Sequence, residues 1–261
     1  MRALFTAATG MTAQQTRMDS IANNLANVNT TGFKRAHAEF QDLFYETLRA
    51  PGAPSADGTA LPSGVQIGHG VQLASVVRTF AQGERTRTDR PLDLAIDGPG
   101  FLQVQKPGGE TLYTVAGALQ LDADGNIVTP EGYPIVPAIT VPSDAQDMTI
   151  LRDGTVSVLQ PGSTAPTQIG QIQLARFVNP SGLRAMGNNL YAPSGASGDP
   201  ETGNPDQNGF GALSQGFLES SNVNVAEELV RLIMAQRGFE MNSRVITAGD
   251  EMMQTVGALA R

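Results

Sequence analysis

The sequence predicts an α+β protein in which a long α-helix at each end of the chain flanks a central antiparallel β-rich region. Apolar residues recur every seven positions near both ends, which is the repeat of helices that pair like a coiled coil. Between the ends, apolar and polar residues alternate, and Asp-Gly pairs separate the alternating stretches. Alternation interrupted by such turns is typical of antiparallel hairpins. We therefore expect the N- and C-terminal helices to pair as a coiled-coil-like hairpin.

The N-terminal helix is predicted over residues 3–28, which contain no proline and a single glycine. The first set of heptad positions is occupied by Leu4, Met11, Met18 and Leu25. A second set, three positions later, is apolar at three of its four members, which are Ala7, Gln14, Ile21 and Val28. A helix of roughly 26 residues would be about 39 Å long. Gly32 follows a polar stretch and suits a left-handed helix cap.

The C-terminal helix is predicted to begin after Asn224, because Glu227 three positions later forms a variant of the capping box. Its heptad positions hold Val225, Leu232, Phe239, Ile246 and Met253. Further apolar residues widen this stripe, namely Leu229, Ile233, Val245, Met252, Val256 and Leu259. The helix would run for roughly 35 residues, about 52 Å. This stripe is wider than contact with a single partner helix requires. It therefore favours a hairpin of the two terminal helices that neighbouring copies bury further, and it disfavours terminal helices that pack on the β region.

The central region is predicted to contain short strands joined by tight turns. Alternating stretches occupy residues 92–96, 101–104, 148–150 and 156–158. Three Asp-Gly pairs contain Gly98, Gly125 and Gly154. A tight turn is predicted at each of them, because glycine readily adopts the positive φ that such turns need. Residues 50–64 and 193–211 are rich in Gly, Pro and small polar residues and are predicted to be loops.

Composition excludes several classes of function. The formal net charge is −8, which disfavours binding to a nucleic-acid backbone. The chain has no cysteine, so disulfides, thiol nucleophiles and cysteine zinc sites are excluded, and its two histidines leave little room for a metal site built from histidine. No apolar run approaches the roughly 18 residues of a membrane span, so we expect no direct membrane insertion. The N-terminus lacks a cleavable signal pattern, so export would need another route.

Two groups of acidic residues could form a catalytic or metal site, and neither is favoured as a functional site. Asp93 and Asp97 could act as an acid–base pair, but any β-rich protein offers such pairs. Acidic residues beginning at Asp122 have the spacing of a calcium loop, yet Ile127 and Tyr133 stand where that loop requires Gly and Glu. The sequence therefore predicts no enzyme, no cofactor and no metal site.

Two motifs resemble those of the bacterial flagellar rod and hook proteins. Residues 23–35 resemble the N-terminal signature of that family, an Asn-rich helix end followed by Thr-x-Gly-Phe-Lys. Residues 222–230 and 236–242 resemble its C-terminal helix. The positions that carry the resemblance are Asn23, Asn24, Asn27, Thr30, Gly32, Phe33, Lys34, Gln236, Arg237, Phe239 and Glu240. The strand over residues 92–101 and the hairpins over 113–133 also resemble the family, although residues 115–118 depart from its usual Arg-x-Gly.

Residues 41–64 resemble a segment of the distal-rod members of the family. The positions concerned are Tyr45, Leu48, Arg49, Pro51, Pro54, Leu61, Pro62 and Gly64. Hook proteins are similar at the ends but usually have larger central domains, and proximal rod proteins usually lack this segment. The resemblance therefore implies a structural subunit of the distal rod, a stiff hollow tube that transmits torque.

The resemblance also implies a domain layout and a set of partners. Residues 1–32 and 224–261 would form the inner tube, residues 33–91 and 185–223 a linking domain, and residues 92–184 the outer β-rich domain. Contacts between identical copies are expected at Leu4, Met11, Met18, Ile21, Asn24, Leu25, Asn27, Val28, Val225, Leu229, Leu232, Phe239, Asn242, Ile246, Met253 and Val256. The other implied partners are proximal rod proteins, the hook protein, the P and L rings and the flagellar type III export apparatus.

The implied location is the rod of the basal body, which crosses the periplasm. Three alternatives stay open at this point. A hook or proximal rod protein would share the terminal motifs. A β-rich binding module, such as an adhesin, would not need the ends. An enzyme would depend on Asp93 or Asp97.

Overall fold

The computed structural model describes residues 2–52, 63–162 and 165–259 of the chain. The chain divides into two compact units. The first comprises residues 1–26, 36–78 and 224–261, and the second comprises residues 27–35 and 79–223. The three-part division into domains that the family resemblance implies stays a prediction.

The first unit contains both long helices and two pairs of strands. The helices are α1 (Arg2–Ala26) and α2 (Val225–Leu259), and they pack together in antiparallel orientation. Strand β1 (Ala36–Asp42) pairs with β4 (Val71–Arg78), and β2 (Tyr45–Arg49) pairs with β3 (Val65–Gly68). The predicted hairpin of terminal helices is therefore present in the structure.

The start of α2 agrees with the prediction, and the end of α1 does not. The Oδ1 atom of Asn224 accepts hydrogen bonds from the backbone N–H groups of Ala226 and Glu227, at 3.0 and 3.3 Å. Helix α1 ends at Ala26, two residues earlier than predicted. Gly32 does adopt a left-handed φ of 70°, but it lies six residues beyond the helix and so shapes the chain exit and does not cap the helix.

The second unit is built from short strands. They are β5 (Arg85–Arg87), β6 (Leu94–Asp97), β7 (Phe101–Gln105), β8 (Thr111–Thr114), β9 (Gln120–Leu121), β10 (Ile127–Val128), β11 (Asp147–Ile150), β12 (Thr155–Leu159), β13 (Thr167–Gln171), β14 (Leu174–Arg176), β15 (Arg184–Gly187), β16 (Leu190–Ala192), β17 (Glu201–Gly203), β18 (Ala212–Gln215) and β19 (Phe217–Glu219). The four alternating stretches of the sequence all coincide with strands, namely β6, β7, β11 and β12.

The strand pairs of the described residues are antiparallel, as predicted. The largest sheet has six strands in the order β15-β16-β8-β7-β14-β17, and a three-stranded sheet has the order β11-β12-β13. An apolar core that includes Leu102, Leu174 and Leu213 fills this unit. A second cluster packs Phe101, Phe177 and other aromatic side chains edge to face. Together with the helices of the first unit, these sheets confirm the predicted α+β class.

The predicted loop over residues 193–211 is partly wrong, because it contains β17. Pairing with β14 creates this strand, with Gly203 opposite Leu174. A Cβ atom at Gly203 would lie 2.4 Å from the ring of Phe210, so the glycine makes room for a core aromatic residue. Only this tertiary pairing makes a strand of a segment whose composition favours turns.

Candidate assembly interface

Glycines allow the two helices of the first unit to approach closely. A Cβ atom at Gly10 of α1 would lie 2.7 Å from the Nδ2 atom of Asn242. A Cβ atom at Gly249 of α2 would lie 2.5 Å from a methyl carbon of Leu4. The helices therefore pack with partner side chains seated directly over the glycine backbone.

A buried hydrogen-bond network joins the end of α1 to β1 and to the start of α2. Asn24 is 1% exposed, and its Nδ2 atom donates to the carbonyl oxygen of Ala36 at 2.8 Å. Its Oδ1 atom accepts the N–H of Ala36 at 3.0 Å. The same Nδ2 atom donates to Oε2 of Glu228 at 3.2 Å, and Arg231 donates to the other carboxylate oxygen at 3.3 Å. One asparagine thus connects the end of α1 with β1, 12 residues later, and with the start of α2, 204 residues later.

Sequence reasoning selected Asn24 from its motif and missed Glu228. Glu228 is 1% exposed, although it lies in the charged first turn of a helix, where a solvated glutamate is the ordinary expectation. The start of α2 contains two adjacent glutamates. Glu228, but not the exposed Glu227, belongs to the seven-residue series that continues with Ala235, Asn242 and Gly249, and this spacing is the signal that could have identified it.

Most of the predicted interface residues that lie within the two helices are buried or half-buried. On α1 these are Leu4, Met11, Met18, Ile21, Asn24 and Leu25. On α2 they are Leu232, Phe239, Asn242 and Ile246. Leu4 and Asn242 lie over glycines of the facing helix, and Asn24 is hydrogen-bonded to Glu228, whereas contacts of these residues between copies stay a prediction.

The other predicted interface residues lie outside α1 or are exposed on α2. Asn27 and Val28 follow the last residue of α1 and belong to the second unit. On α2, apolar side chains remain exposed at Val225 (41%), Leu229 (43%), Met253 (50%) and Val256 (62%). Their role in contacts between copies stays a prediction.

The residues after the Asn-rich motif form a buried cluster in the second unit. The Nζ atom of Lys34 lies 2.6 Å from Oε1 of Glu219, and both side chains are almost completely buried. Lys34 also donates to the carbonyl of Ala81, while the N–H of Gly83 donates to Glu219 at 2.7 Å. Phe33 is buried beside them in the chain. The family motif therefore supplies the cation of an internal ion pair whose anion, Glu219, sequence reasoning missed.

Asn222 closes the same region of the second unit. Its Oδ1 atom accepts the N–H of Arg35 at 2.7 Å, and its Nδ2 atom donates to the carbonyls of Thr79 and Ala81, both at 2.9 Å. These bonds connect residues 35, 79–81 and 222, which lie at the ends of the two chain segments that form the unit. The amide side chain is needed because it donates and accepts at once.

The remaining motif residues lie at surfaces or in turns. Thr30 donates from its hydroxyl to Oδ1 of Asn27 at 3.1 Å. Arg237 and Glu240 form an exposed ion pair at 3.2 Å on α2. The two other positions, Asn23 on α1 and Gln236 on α2, are exposed.

The distal-rod-like segment, residues 41–64, contains strand β2, which pairs with β3 directly after the segment to form a two-stranded ribbon of mostly exposed residues. Tyr45, Leu48 and Arg49 lie in β2, and Gly64 directly precedes β3. Pro51 lies in a turn, and the predicted positions Pro54, Leu61 and Pro62 fall outside the described residues. Phe44, just before the ribbon, is 90% exposed, and Tyr45 and Leu48 are more than half exposed. A hydrogen bond with Asp42 raises the pKa of Tyr45 above its usual value.

The acidic residues considered for chemistry serve structural roles. Asp93 is buried and accepts a hydrogen bond from the hydroxyl of Thr88 at 2.7 Å. Asp97 pairs with Arg85 at 2.7 Å. Within the described part of the chain, no three His, Asp or Glu side chains are grouped so that they could hold a metal ion. Its helices include none with the length and apolar character needed to cross a membrane.

Three family models match different parts of the chain. Residues 4–34 match "Flagella basal body rod protein", residues 95–158 match "Flagellar hook protein FlgE/F/G D1 domain", and residues 214–259 match "Flagellar basal body rod FlgEFG protein C-terminal". The first of these ranges includes the N-terminal motif up to residue 34, and the last includes the C-terminal motif.

Several curated relatives are similar along their whole length. A flagellar basal-body rod protein FlgG of Buchnera aphidicola subsp. Schizaphis graminum is 50% identical over 98% of both chains. The FlgG proteins of Caulobacter vibrioides and Agrobacterium fabrum are each 49% identical, over 99% and 98% of both chains respectively. These relatives bear the name of a rod protein, which does not favour the hook alternative. The chain therefore belongs to the flagellar basal-body rod protein family.

Proposed function

We propose that this chain, a structural subunit of the flagellar distal rod, polymerises through its terminal helices into a stiff hollow tube that carries motor torque to the hook. The single observation that carries the proposal is a second apolar face on α2, in addition to the face that packs on α1. A helix that exposes such a face normally covers it with a partner.

This second face runs along most of the helix. It consists of Met234, Met241, Val245, Met252 and Val256, which follow one another at spacings of seven and four residues. Their exposures range from 47% for Val245 to 67% for Met234. Spacings of this kind place the side chains on one side of a helix with 3.6 residues per turn. Methionine adapts to irregular surfaces, which suits contacts between copies that are related by a helical operator.

The exposed ribbon β2–β3 supports the second part of the proposal, the stiffness of the tube. A two-stranded ribbon without a covering layer is marginally stable in water. The ribbon leaves Tyr45, Leu48, Val65 and Ile67 between 37% and 56% exposed, so a neighbouring copy could bury them. In this proposal the segment over residues 41–64 bridges adjacent copies and resists bending.

The remaining features of the proposal come from the family. Residues 1–32 and 224–261 form the inner tube, residues 33–91 and 185–223 the linking domain, and residues 92–184 the outer domain. The partners are other copies of this chain, proximal rod proteins below, the hook protein above, and the P and L rings outside. The protein crosses to the periplasm through the type III export apparatus. The family is structural, and we propose no enzymatic activity.

Electron microscopy of the concentrated protein tests polymerisation. Val245→Asp places a charge on the second apolar face, where burial against a neighbour would cost several kcal/mol. We expect straight tubes from the unaltered protein and none from Val245→Asp. Thr247→Asp, at an exposed polar position of the same helix, is the matched control and should form tubes. Normal tubes from Val245→Asp would refute the role of this face.

Deletion of residues 51–64 tests stiffness separately. We expect the shortened protein to form curved tubes or none, because the bridging segment has been removed. Straight tubes from the deletion variant would contradict the stiffening role of the segment, while leaving polymerisation through the helices intact.

A further inference from the structure

The second unit contains an open cleft of about 480 Å³ that none of the contacts described above explains. Three chain segments line it, residues 87–91, residues 147–149 and residues 215–217. They belong to the connection from β5 to β6, to β11, and to the junction of β18 with β19. Sites for small molecules usually measure about 300–1,000 Å³, so this cleft has room for one.

The side chain of Gln215 fixes the two walls of the cleft relative to each other. Its Nε2 atom donates to the carbonyl oxygens of Pro91 and Met148, both at 2.9 Å. Its Oε1 atom accepts the N–H of Ile150 at 3.0 Å. One amide thus joins the connection before β6 to strand β11. The cleft is therefore formed before any ligand arrives, which lowers the entropic cost of binding.

The wall at residues 88–91 is also held from behind by a buried carboxylate. The hydroxyl of Thr88 donates to Oδ2 of Asp93 at 2.7 Å, and the N–H of Thr88 donates to the carbonyl of Gly216 at 2.7 Å. The Nη1 atom of Arg90 lies 3.8 Å from Oδ1 of Asp93, which is 1% exposed. The side chain of Arg90 remains 56% exposed, so its guanidinium is oriented from the inside and still accessible from the outside.

Other polar groups on the lining are available to a ligand. Arg87 of β5 lies directly opposite Phe217 of β19, and residues so paired have their side chains on the same face. Within the described part of the chain, the side chains of Arg87, Asp89 and Thr149 take part in no hydrogen bond or ion pair, although all three line the cleft. A ligand would meet these donors and acceptors without first breaking bonds inside the protein.

The chemistry of the lining indicates the class of ligand. Arg87 and Arg90 can only donate hydrogen bonds. Asp89 and Asp147, when ionised, can only accept them. Charges of both signs around one cleft attract neither an anion nor a cation uniformly. A sugar hydroxyl is uncharged and both donates and accepts, so a row of hydroxyls can use both kinds of side chain. The half-buried ring of Phe217 offers an apolar surface to the C–H face of a sugar ring.

We propose that this cleft binds a neutral oligosaccharide, whose hydroxyl groups hydrogen-bond to the arginines and aspartates and one of whose rings lies against Phe217. The site binds the sugar without making or breaking a covalent bond. This inference goes beyond the proposed function and does not depend on it, because every residue of the cleft belongs to the second unit and none to the helices.

Saturation-transfer difference NMR of the full-length protein tests the site, with maltotriose and N,N′,N″-triacetylchitotriose as the probes. We expect saturation transfer to at least one of these sugars, and an affinity at least several-fold weaker for Arg87→Gln. Arg184→Gln is the matched control, because Arg184 is an exposed arginine on a strand of the same unit that does not line the cleft. The control should bind as the unaltered protein does.

Three results would overturn the inference. Transfer to neither sugar would remove the ligand class, and equal affinities for Arg87→Gln and Arg184→Gln would remove the site. Stronger binding of a sulfated heparin disaccharide than of the neutral sugars would show an anion site instead. The same measurement on Val245→Asp separates this inference from the proposed function, since this variant should bind the sugars normally whether or not it forms tubes.

Discussion

Replacement of Asn24 by leucine should destabilise the first unit strongly. The side chain is 1% exposed and makes three hydrogen bonds, two with the backbone of Ala36 and one with Glu228. Leucine has a similar size but offers no donor or acceptor. The change therefore removes hydrogen bonds while largely preserving the packed volume.

The cost follows from what each partner loses. The N–H of Ala36 loses its acceptor inside the protein, which costs about 1–3 kcal/mol. The Ala36 carbonyl keeps a donor, the hydroxyl of Ser20 at 3.2 Å, and the Glu228 carboxylate keeps Arg231 at 3.3 Å. Their losses are smaller, about 1 kcal/mol together. We expect Asn24→Leu to lower the free energy of unfolding by roughly 2–4 kcal/mol.

Urea unfolding followed by far-ultraviolet circular dichroism measures this effect, since both long helices belong to the first unit. With a slope of about 2 kcal/mol per molar urea, the midpoint should fall by roughly 1–2 M. Gln15→Leu is the matched control, since it replaces an exposed amide on the same helix and should change stability by at most about 0.5 kcal/mol. Equal midpoints for the two variants would refute the structural role assigned to Asn24.

Two further predictions concern the second unit. Lys34→Met leaves the buried carboxylate of Glu219 unpaired and should cost roughly 3–5 kcal/mol in urea unfolding. The control Arg85→Met breaks the half-exposed pair with Asp97 and should cost about 0–1 kcal/mol, so similar losses would contradict the importance of burial. Burial raises the pKa of Tyr113 above its usual 10.0, so the folded state holds this proton more tightly. Stability should therefore fall as pH rises above 10.0, and Tyr113→Phe should flatten that fall; an unchanged slope would exclude a contribution from this residue.

Local signals predicted the helices well. The Asn224 cap and the seven-residue repeat that follows it act within a few residues, and α2 begins at Val225 as they require. The end of α1 was placed two residues too late, because Val28 continues the apolar repeat after the chain has already turned into the second unit. The seven-residue repeat shows which residues are apolar, but it does not show at which residue the helix ends and a turn begins.

Partners of buried polar groups could not be predicted. Asn24 and Lys34 were selected because they belong to recognisable motifs. Their carboxylate partners, Glu228 and Glu219, lie 204 and 185 residues away in sequence. The local sequence does not identify the distant residue that a buried glutamate contacts, because that contact depends on the neighbours that folding brings.

The sequence by itself determined the α+β class, the family and the apolar positions of both helices, because these follow from local periodicity, capping and motif. The tertiary structure alone decided how those apolar positions are divided. Leu232 and Ile246 are half-buried, while Met241 and Val245 are exposed. Since every one of these side chains favours burial to a similar degree, only the placement of the second helix could distinguish the face that is buried within the chain from the face that is exposed.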